Sequence, residues 1–158
     1  MNHFSIRRFA ETDAFSVAGL IAETMRKTNS HDYSAESIEN TLARLSPEKL
    51  IDRSRWMHFY VVCDRDKIIG CGAIGSYWGK VDESCLFNLF VLPEYQGKGI
   101  GRMIIETLEQ DEFFLRANRI EVPASMTACG FYQKMGYQYK DNARVIDAGQ
   151  HISMEKFR

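Results

Sequence analysis

The stretch that decides the fold runs from Val91 to Arg102 and reads VLPEYQGKGIGR. A β-prone run stops at Pro93, three glycines alternate over the next residues, and an amphipathic helical pattern begins directly after them. The first N–H groups of a helix lack partners within the helix and lie at the positive end of its dipole, so they attract anions. Glycines let an anion approach the backbone with no Cβ in the way. The stretch therefore predicts a phosphate-binding turn, to which Lys98 and Arg102 add charge-assisted contacts.

The glycine spacing excludes two other phosphate-binding motifs. A P-loop requires G-x-x-x-x-G-K-[ST], whereas Lys98 is followed by Gly99 and by no hydroxyl residue. A dinucleotide fingerprint requires G-x-G-x-x-G early in a β-α-β unit. Here Gly97, Gly99 and Gly101 alternate, late in the chain and after an antiparallel pattern. A plain glycine-rich turn is the remaining alternative, and the helix placed immediately after the loop argues against it.

Hydrophobic spacing predicts a mixed arrangement of helices and strands around this turn. The predicted strands cover residues 3–9, 58–63, 68–77, 85–92, 118–122, 137–139 and 151–157. The predicted helices start near residues 13, 35 and 47, at residue 100 with an end near 115, and at residue 128. The order predicts an α/β (α+β) fold in which a central mixed, mostly antiparallel twisted sheet is flanked by helices, with residues 1–158 as a single domain.

Composition narrows the class of protein. The chain has 158 residues, of which 45% are hydrophobic and 26% charged, an ordinary globular balance. The formal net charge of −1 argues against broad binding to nucleic acid or anionic membranes. The N-terminus has no apolar signal-peptide core, and no apolar run approaches the length of a membrane span. We therefore expect a cytoplasmic protein with no membrane partner.

The cysteines predict buried thiols and no metal site. Cys63, Cys71, Cys85 and Cys129 form no C-x-x-C pair, and the histidines are scattered along the chain. Three of these cysteines lie in or beside apolar segments. Such residues are typical of free thiols in a reducing compartment.

Several motifs together resemble one enzyme family. Residues 96–101 match the Q/R-x-x-G-x-G/A motif of the GNAT superfamily of N-acetyltransferases, and residues 91–95 resemble the end of that family's fourth strand. Residues 128–137 are similar to its second signature, a short helix that ends in a Gly-aromatic step. Residues 151–156 are similar to its last strand. The resemblance covers the whole chain and is most specific over residues 82–139.

The resemblance implies a GNAT-type acyl-CoA N-acyltransferase fold and a site for acetyl-CoA as cosubstrate. The acetyl-CoA would lie in a V-shaped cleft where the fourth and fifth strands separate. Backbone of the fourth strand would pair with the pantetheine arm and polarise the thioester carbonyl, and N–H groups of the glycine turn would hold the pyrophosphate. The implied cofactor-binding residues are Leu89, Phe90, Val91, Gln96, Gly97, Lys98, Gly99, Ile100, Gly101, Arg102 and Ser125.

The implied catalytic residue is Tyr132, which would protonate the coenzyme's sulfur as a general acid. We expect its neighbour Phe131 to join the core and Tyr132 to face the cleft. Two positions depart from the family pattern. Ser125 stands where many members have Asn, and Asn88 stands where many have the acidic general base. Two alternatives for the amine proton therefore stay open: the base acts through water, or the amine arrives already neutral.

The resemblance implies transfer of an acetyl group from acetyl-CoA to a primary amine of a small molecule or protein. The alternative is a non-catalytic acyl-CoA-binding sensor or interaction module on the same fold, and the hydroxyl of Tyr132 favours the enzyme. The acceptor site is expected to draw on residues 20–57 and 75–80, which carry no motif that identifies the amine. The oligomeric state is open, a homodimer included.

Overall fold

The computed structural model describes residues 3–158, which form a seven-stranded sheet in the order β1-β2-β3-β4-β5-β7-β6. The strands are β1 (Phe4–Arg8), β2 (Met57–Asp64), β3 (Lys67–Ser76), β4 (Glu83–Val91), β5 (Arg119–Ala124), β6 (Gln138–Tyr139) and β7 (Ile152–Phe157). The helices are α1 (Ala14–Lys27), α2 (Ala35–Ala43), α3 (Pro47–Arg53), α4 (Ile100–Leu108), α5 (Glu112–Leu115) and α6 (Cys129–Lys134).

The sheet is mostly antiparallel, as the sequence predicted. Strands β1 to β4 pair in sequence order as an antiparallel meander, and β7 pairs antiparallel with both β5 and β6. Strands β4 and β5 run parallel, so the chain crosses over between them through α4 and α5. The predicted α/β fold, a mixed sheet flanked by helices, is confirmed.

Two glycines in β3 allow α4 to pack closely on the sheet. A Cβ on Gly72 would lie 2.5 Å from a methyl group of Ile104, and one on Gly70 would lie 3.3 Å from a methyl group of Ile100. Real Cβ atoms do not approach a neighbour at the first of these distances, so β3 must carry glycine at residue 72 for the helix to pack here. Glycines inside a strand indicate such a close approach or a bulge, and Gly72 also lies where the register between β3 and β4 shifts.

Strands β4 and β5 share only a short ladder and then separate. Their pairing covers residues 83–85 of β4 and 119–121 of β5. Beyond it β5 continues beside β7 to Ala124, while β4 continues beside β3 to Val91. A bulge bends β4 in this region, where Asn88 has a φ of 51° and the register to β3 shifts. Within the described residues, the edge of β4 beyond Cys85 therefore faces an opening instead of a strand.

A network of ion pairs links β4 and β5 where the two strands pair. The guanidinium of Arg119 on β5 contacts the carboxylate of Glu83 on β4 at 2.9 Å and that of Glu155 on β7 at 2.7 Å, and it also pairs with Glu121. Burial alone would lower the pKa of Arg119, but hydrogen bonds to the three carboxylates raise it. The arginine therefore stays charged and links three adjacent strands where β4 and β5 meet.

The helix predicted over residues 100–115 is two helices. Helix α4 ends at Leu108, and α5 begins at Glu112. The cause is Asp111, a buried residue whose carboxylate accepts hydrogen bonds from the N–H of Phe113 at 2.9 Å and from the hydroxyl of Tyr60 at 2.6 Å. A side chain held in this way caps a new helix and breaks the old one.

Two smaller findings concern cysteines and membrane spans. All four cysteines are buried and unpaired, as predicted, and burial raises the pKa of the Cys71 and Cys85 thiols to about 12. Between residues 3 and 158, the helices are too short or too polar to cross a membrane.

Candidate active site

A cleft of about 840 Å³ opens where β4 and β5 separate. Its walls come from α1, α2 and α3 on one side, from β4, β5 and the start of α4, and from α6. The structure brings nearly all of the sequence-predicted site residues to this one cavity: Leu89, Phe90, Val91, Gln96, Gly97, Gly99, Ile100, Gly101, Arg102, Ser125 and Tyr132. Lys98, whose side chain is exposed, is the predicted site residue that does not line it.

Two of the three glycines shape the turn before α4. Gly97 has a φ of 78° and Gly99 a φ of 82°, a left-handed conformation that favours glycine. Apart from the adjacent residues of the chain, no atom of the described protein lies within 4 Å of where a Cβ of either residue would stand. Gly99 is the N-cap of α4, so the first N–H groups of the helix border this open space. The arrangement can accept an anion against the backbone.

The third glycine, Gly101, also has a packing role. A Cβ on Gly101 would lie 3.1 Å from the ring of Phe131, so this residue allows α6 to pack against the start of α4. The side chain of Gln96 is also structural. Its amide donates hydrogen bonds to the carbonyl of Val91 at 3.0 Å and to the hydroxyl of Thr28 at 3.2 Å. These bonds fix the turn against the end of β4 and the end of α1.

The free edge of β4 forms a second part of the cleft. Leu89, Phe90 and Val91 are half-buried and line the cavity beyond the point where β5 leaves. Backbone groups on a strand edge without a partner strand can pair with an extended chain that carries amides. The edge therefore suits an extended amide-containing arm next to an anion site.

Tyr132 is a buried polar residue in the cleft wall. Its side chain is 5% exposed and its ring packs against those of Phe131 and Tyr137, with centroids 5.3 and 5.8 Å away. Within the residues that the structure describes, its hydroxyl has no hydrogen-bond partner. Burial raises the pKa of Tyr132, so the phenol keeps its proton. Both aromatic residues line the cavity, and Phe131 is the less buried of the two, the reverse of the expected order.

The cleft also contains ionisable groups that the sequence did not single out. Arg44, Arg53 and His151 line it, whereas no aspartate or glutamate among residues 3–158 does. Burial lowers the pKa of His151, and the nearby charge of Arg44 lowers it further, although Asp147 raises it. The imidazole therefore favours its neutral form. These residues come from a helix end and from the residue before β7, where no local motif marks them.

Three residues of the segments 20–57 and 75–80 lie outside the cleft lining. Trp56 packs against Phe87 with ring centroids 5.6 Å apart, and Trp78 is 85% exposed on the loop after β3. The carboxylate of Asp32 is buried and accepts hydrogen bonds from the N–H and hydroxyl of Thr127, at 3.2 and 2.7 Å. Asp32 thus ties the loop after α1 to the turn before α6, which is a structural role.

Comparison with known proteins identifies the family. Residues 55–139, just over half of the chain, match the family model described as an acetyltransferase (GNAT) domain. The chain belongs to the GNAT acetyltransferase family. This GNAT chain is 33% identical over 100 residues to an uncharacterized N-acetyltransferase of Chlorobaculum tepidum, a match that covers 63% of the chain and 61% of the relative. It is 27% identical over 146 residues to the uncharacterized N-acetyltransferase YafP of Escherichia coli, which covers 92% of the chain and 88% of the relative.

Solved structures of GNAT proteins share the fold. The PaiA N-acetyltransferase of Thermoplasma acidophilum in complex with coenzyme A superposes with a TM-score of 0.83 at 22% identity, covering 98% of this chain and 99% of that one. A GCN5-related N-acetyltransferase of Rhodopseudomonas palustris gives 0.79 at 23% identity and covers 100% and 98%. At these identities the likeness shows the fold alone. The predicted GNAT membership and GNAT fold of the chain are confirmed.

Proposed function

We propose that this chain transfers an acetyl group from acetyl-CoA to a primary amine. The observation that carries the proposal is the convergence of three features on one cavity: the left-handed glycine turn, the free edge of β4 and the unpartnered hydroxyl of Tyr132. The cavity draws on residues from Thr24 to His151. We therefore treat the chain as one catalytic domain.

The residues present suit acetyl-CoA as the cosubstrate. Its pyrophosphate would bind the N–H groups at the start of α4, where Gly97 and Gly99 leave open space. Arg102 and Lys134 also line this end of the cleft and add positive charge. The amide-containing arm would extend along residues 89–91 and bring the thioester towards Tyr132.

Tyr132 would supply the proton that the leaving sulfur needs. The amine nitrogen forms a bond to the acyl carbon, the bond from that carbon to sulfur breaks, and the thiolate takes the phenolic proton. A thiolate leaves poorly into a dry cleft unless it is protonated or hydrogen-bonded. Since burial holds the pKa of Tyr132 above its usual value, the phenol is protonated at neutral pH. Solvent then returns the proton to the tyrosine.

The proton released by the amine needs an acceptor other than a carboxylate. No acidic side chain in the described part of the chain lines the cleft, and the imidazole of His151 does. Its ring lies 5.4 Å from that of Tyr33, which shares the cleft wall with Tyr132. We propose that His151 in its neutral form accepts the amine proton, directly or through water.

The amine itself is not assigned by the family. Relatives and neighbours are named for different acceptors, among them a peptidyl-lysine N-acetyltransferase of Salmonella typhimurium, a ribosomal-protein-alanine N-acetyltransferase of Haemophilus influenzae, and an N-acetylglutamate synthase of Neisseria gonorrhoeae.

We place the enzyme in a reducing compartment such as the cytoplasm, because its four buried cysteines are free thiols.

An amine screen tests the proposal. Purified protein is incubated with acetyl-CoA and a panel of amino acids, peptides, polyamines and aminoglycosides, and release of the free CoA thiol is followed. We expect at least one amine to raise thiol release well above the rate without amine, with an acetylated product of the expected mass. Binding of acetyl-CoA with no acetylated product from any panel member would favour the sensor over the enzyme.

A further inference from the structure

The cleft has an excess of positive charge, and two of its four cations lie away from the glycine turn. Arg44, Arg53, Arg102 and Lys134 line the cleft, and no carboxylate among residues 3–158 does. Arg102 and Lys134 belong to α4 and α6, beside the proposed pyrophosphate site. Arg44 follows α2 and Arg53 ends α3, on the wall that the glycine turn does not reach. Two cations therefore remain without an assigned anion.

Arg53 is half-buried and nearly unsatisfied. Its Nη1 donates one long hydrogen bond, 3.4 Å, to the side-chain oxygen of Asn88, and it has no ion pair in the part of the chain that the structure describes. Burial lowers the pKa of Arg53, and the charge of Arg44 lowers it further. A guanidinium has five N–H donors arranged to grip a carboxylate with two of them. Holding one half-buried beside a like charge costs free energy unless an anion binds it.

Neighbouring arginines show that this is not a general property of the region. Arg55 lies two residues further along and contacts the carboxylate of Asp52 at 2.8 Å, while Arg26 on α1 contacts that of Glu39 at 2.9 Å. Neither Arg44 nor Arg53 forms such a pair anywhere in residues 3–158. Carboxylates are thus available on this side of the molecule, yet the half-buried Arg53 and the exposed Arg44, which both face the cleft, are left without them.

A buried hydroxyl on the same wall is also without a partner. Thr24 on α1 is 3% exposed and lines the cleft, and its Oγ1 has no hydrogen-bond partner in the described residues. Buried hydroxyls normally have a partner, so this one is free to donate a hydrogen bond to a group that enters the cleft. A carboxylate oxygen could accept its hydrogen bond alongside those of the arginines.

We propose that Arg44, Arg53 and Thr24 form a binding site for a carboxylate of the acceptor, so that the substrate is an amine carrying an acidic group. The inference rests on the proposed acetyl transfer and names its substrate class. Arg53 contacts Asn88, the residue before the β4 edge proposed for the thioester arm. A carboxylate held there leaves the amine of the same small molecule close to the acyl carbon. Cationic amines such as polyamines would meet repulsion instead.

Matched substrates test the class directly. Each amine is supplied as the free acid and as its carboxamide, using the common L-amino acids, and two amidated tripeptides beginning with aspartate or asparagine are added. Spermidine represents the cationic amines. We expect kcat/KM for the best free acid to exceed that of its carboxamide by about 10- to 100-fold, the scale of a charge-assisted pair. The tripeptides distinguish an acidic residue of a peptide from a free amino acid as the source of the carboxylate.

Substitution of the two arginines tests whether they cause the preference for the free acid. Arg53→Gln and Arg44→Gln should each raise KM for the free acid by about tenfold or more while leaving its carboxamide unchanged. Arg53→Lys should recover only part of the loss, because it keeps the charge and removes the two-pronged geometry. Arg55→Gln is the matched control, because this exposed arginine is outside the cleft. Its substitution should change KM neither for the free acid nor for the carboxamide. The affinity for CoA should be equal in all of these variants.

Three outcomes would overturn the inference. The first is a carboxamide or spermidine turned over better than any free acid. The second is Arg53→Gln and Arg44→Gln variants with unchanged KM for the acid. The third is weaker CoA binding in those variants, which would assign both arginines to the cofactor.

If no amine of any class is acetylated, the proposed function fails, and the carboxylate site is then measured by binding alone. Succinate and 3-phenylpropionate at millimolar concentration should raise the Tm of the wild type and not that of Arg53→Gln. Equal shifts in both proteins, or no shift in either, would contradict the carboxylate site.

Discussion

The two ends of the cleft offer different kinds of binding group, backbone at one end and side chains at the other. At the proposed cofactor end the groups expected to bind the ligand are mostly backbone: the N–H groups at the start of α4, the turn at Gly97 and Gly99, and the free edge of β4. At the proposed acceptor end they are side chains, those of Arg44 and Arg53 at the ends of the helices opposite. The backbone groups are present in any sequence that can adopt the turn. The side chains can change residue by residue without disturbing the sheet.

This difference predicts how each end responds to substitution. Where the backbone binds the ligand, adding a side chain should be damaging and removing a charge should matter little. Where side chains bind the ligand, removing a charge should be damaging. The predictions below test this contrast, from the largest expected effect to the smallest.

Gly99→Val should weaken binding of CoA by at least about 100-fold, or roughly 2.7 kcal/mol. The valine would occupy the open space over the start of α4 and would also disfavour the positive φ. Gly79→Val is the matched control, because Gly79 has a φ of 74°, equally open surroundings and a place outside the cleft. Both variants should lose about 1–2 kcal/mol in free energy of unfolding, measured by denaturation. Calorimetry should find CoA binding lost in Gly99→Val alone. Equal affinity of the two variants for CoA would show that the glycine turn does not bind it.

Tyr132→Phe should lower kcat by about 100-fold with little change in CoA affinity, because only the proton donor is lost. Tyr137→Phe is the control. Its ring packs against Tyr132, but its hydroxyl donates to the carboxylate of Glu109 at 3.3 Å and it does not line the cleft. Steady-state kinetics should show near-normal turnover for that variant. Near-normal turnover in Tyr132→Phe as well would mean that another donor protonates the sulfur.

His151→Gln should change the shape of the pH profile. Both the amine and His151 must be neutral, so log kcat/KM should rise with slope 2 at low pH. The slope should become 1 above the lowered pKa of His151, that is, from a point below its usual value of about 6.5. The variant should keep slope 1 throughout and lose about 100-fold in rate at neutral pH. Assays from pH 5 to 8 check this, and an identical profile in both proteins would exclude His151 as the base.

Arg102→Ala should weaken CoA binding by only about two- to fivefold, since an exposed charge contributes up to about 1 kcal/mol. Arg102 lines the cleft but also lies 3.7 Å from Glu106, and both side chains are exposed. Lys98→Ala should have an even smaller effect, because Lys98 is outside the lining. Both losses should shrink at high salt. A loss near 100-fold for either variant would contradict a site held mainly by backbone.

The sequence predicted the backbone end of the cleft well because its constraints are local. A left-handed turn before a helix requires glycine, so Gly97 and Gly99 stand out in the sequence as plainly as in the structure. Gly101 fits the same motif, but the structure requires glycine there because the ring of Phe131, thirty residues later in the chain, packs against it. The motif therefore identified the position of Gly101 without this reason for it.

The acceptor end could not be predicted because its constraints are tertiary. Nothing near Arg53 in the sequence indicates that it lacks a carboxylate, since Asp52 is adjacent and pairs with Arg55 instead. The neutral preference of His151 depends on burial and on Arg44, more than a hundred residues earlier. The break between α4 and α5 has the same origin, because Asp111 caps the second helix while bound by Tyr60 on β2.

The central claim is that acetyl-CoA binds along the free edge of β4 and the start of α4. Amide hydrogen exchange, measured with and without saturating acetyl-CoA, tests it most directly. We predict slower exchange in residues 86–91 and 97–102, because their N–H groups would bond to the ligand. Residues 77–82, which include the open glycine at Gly79, should exchange equally in both samples. No protection in either segment at millimolar acetyl-CoA, or protection confined to other parts of the chain, would contradict the account.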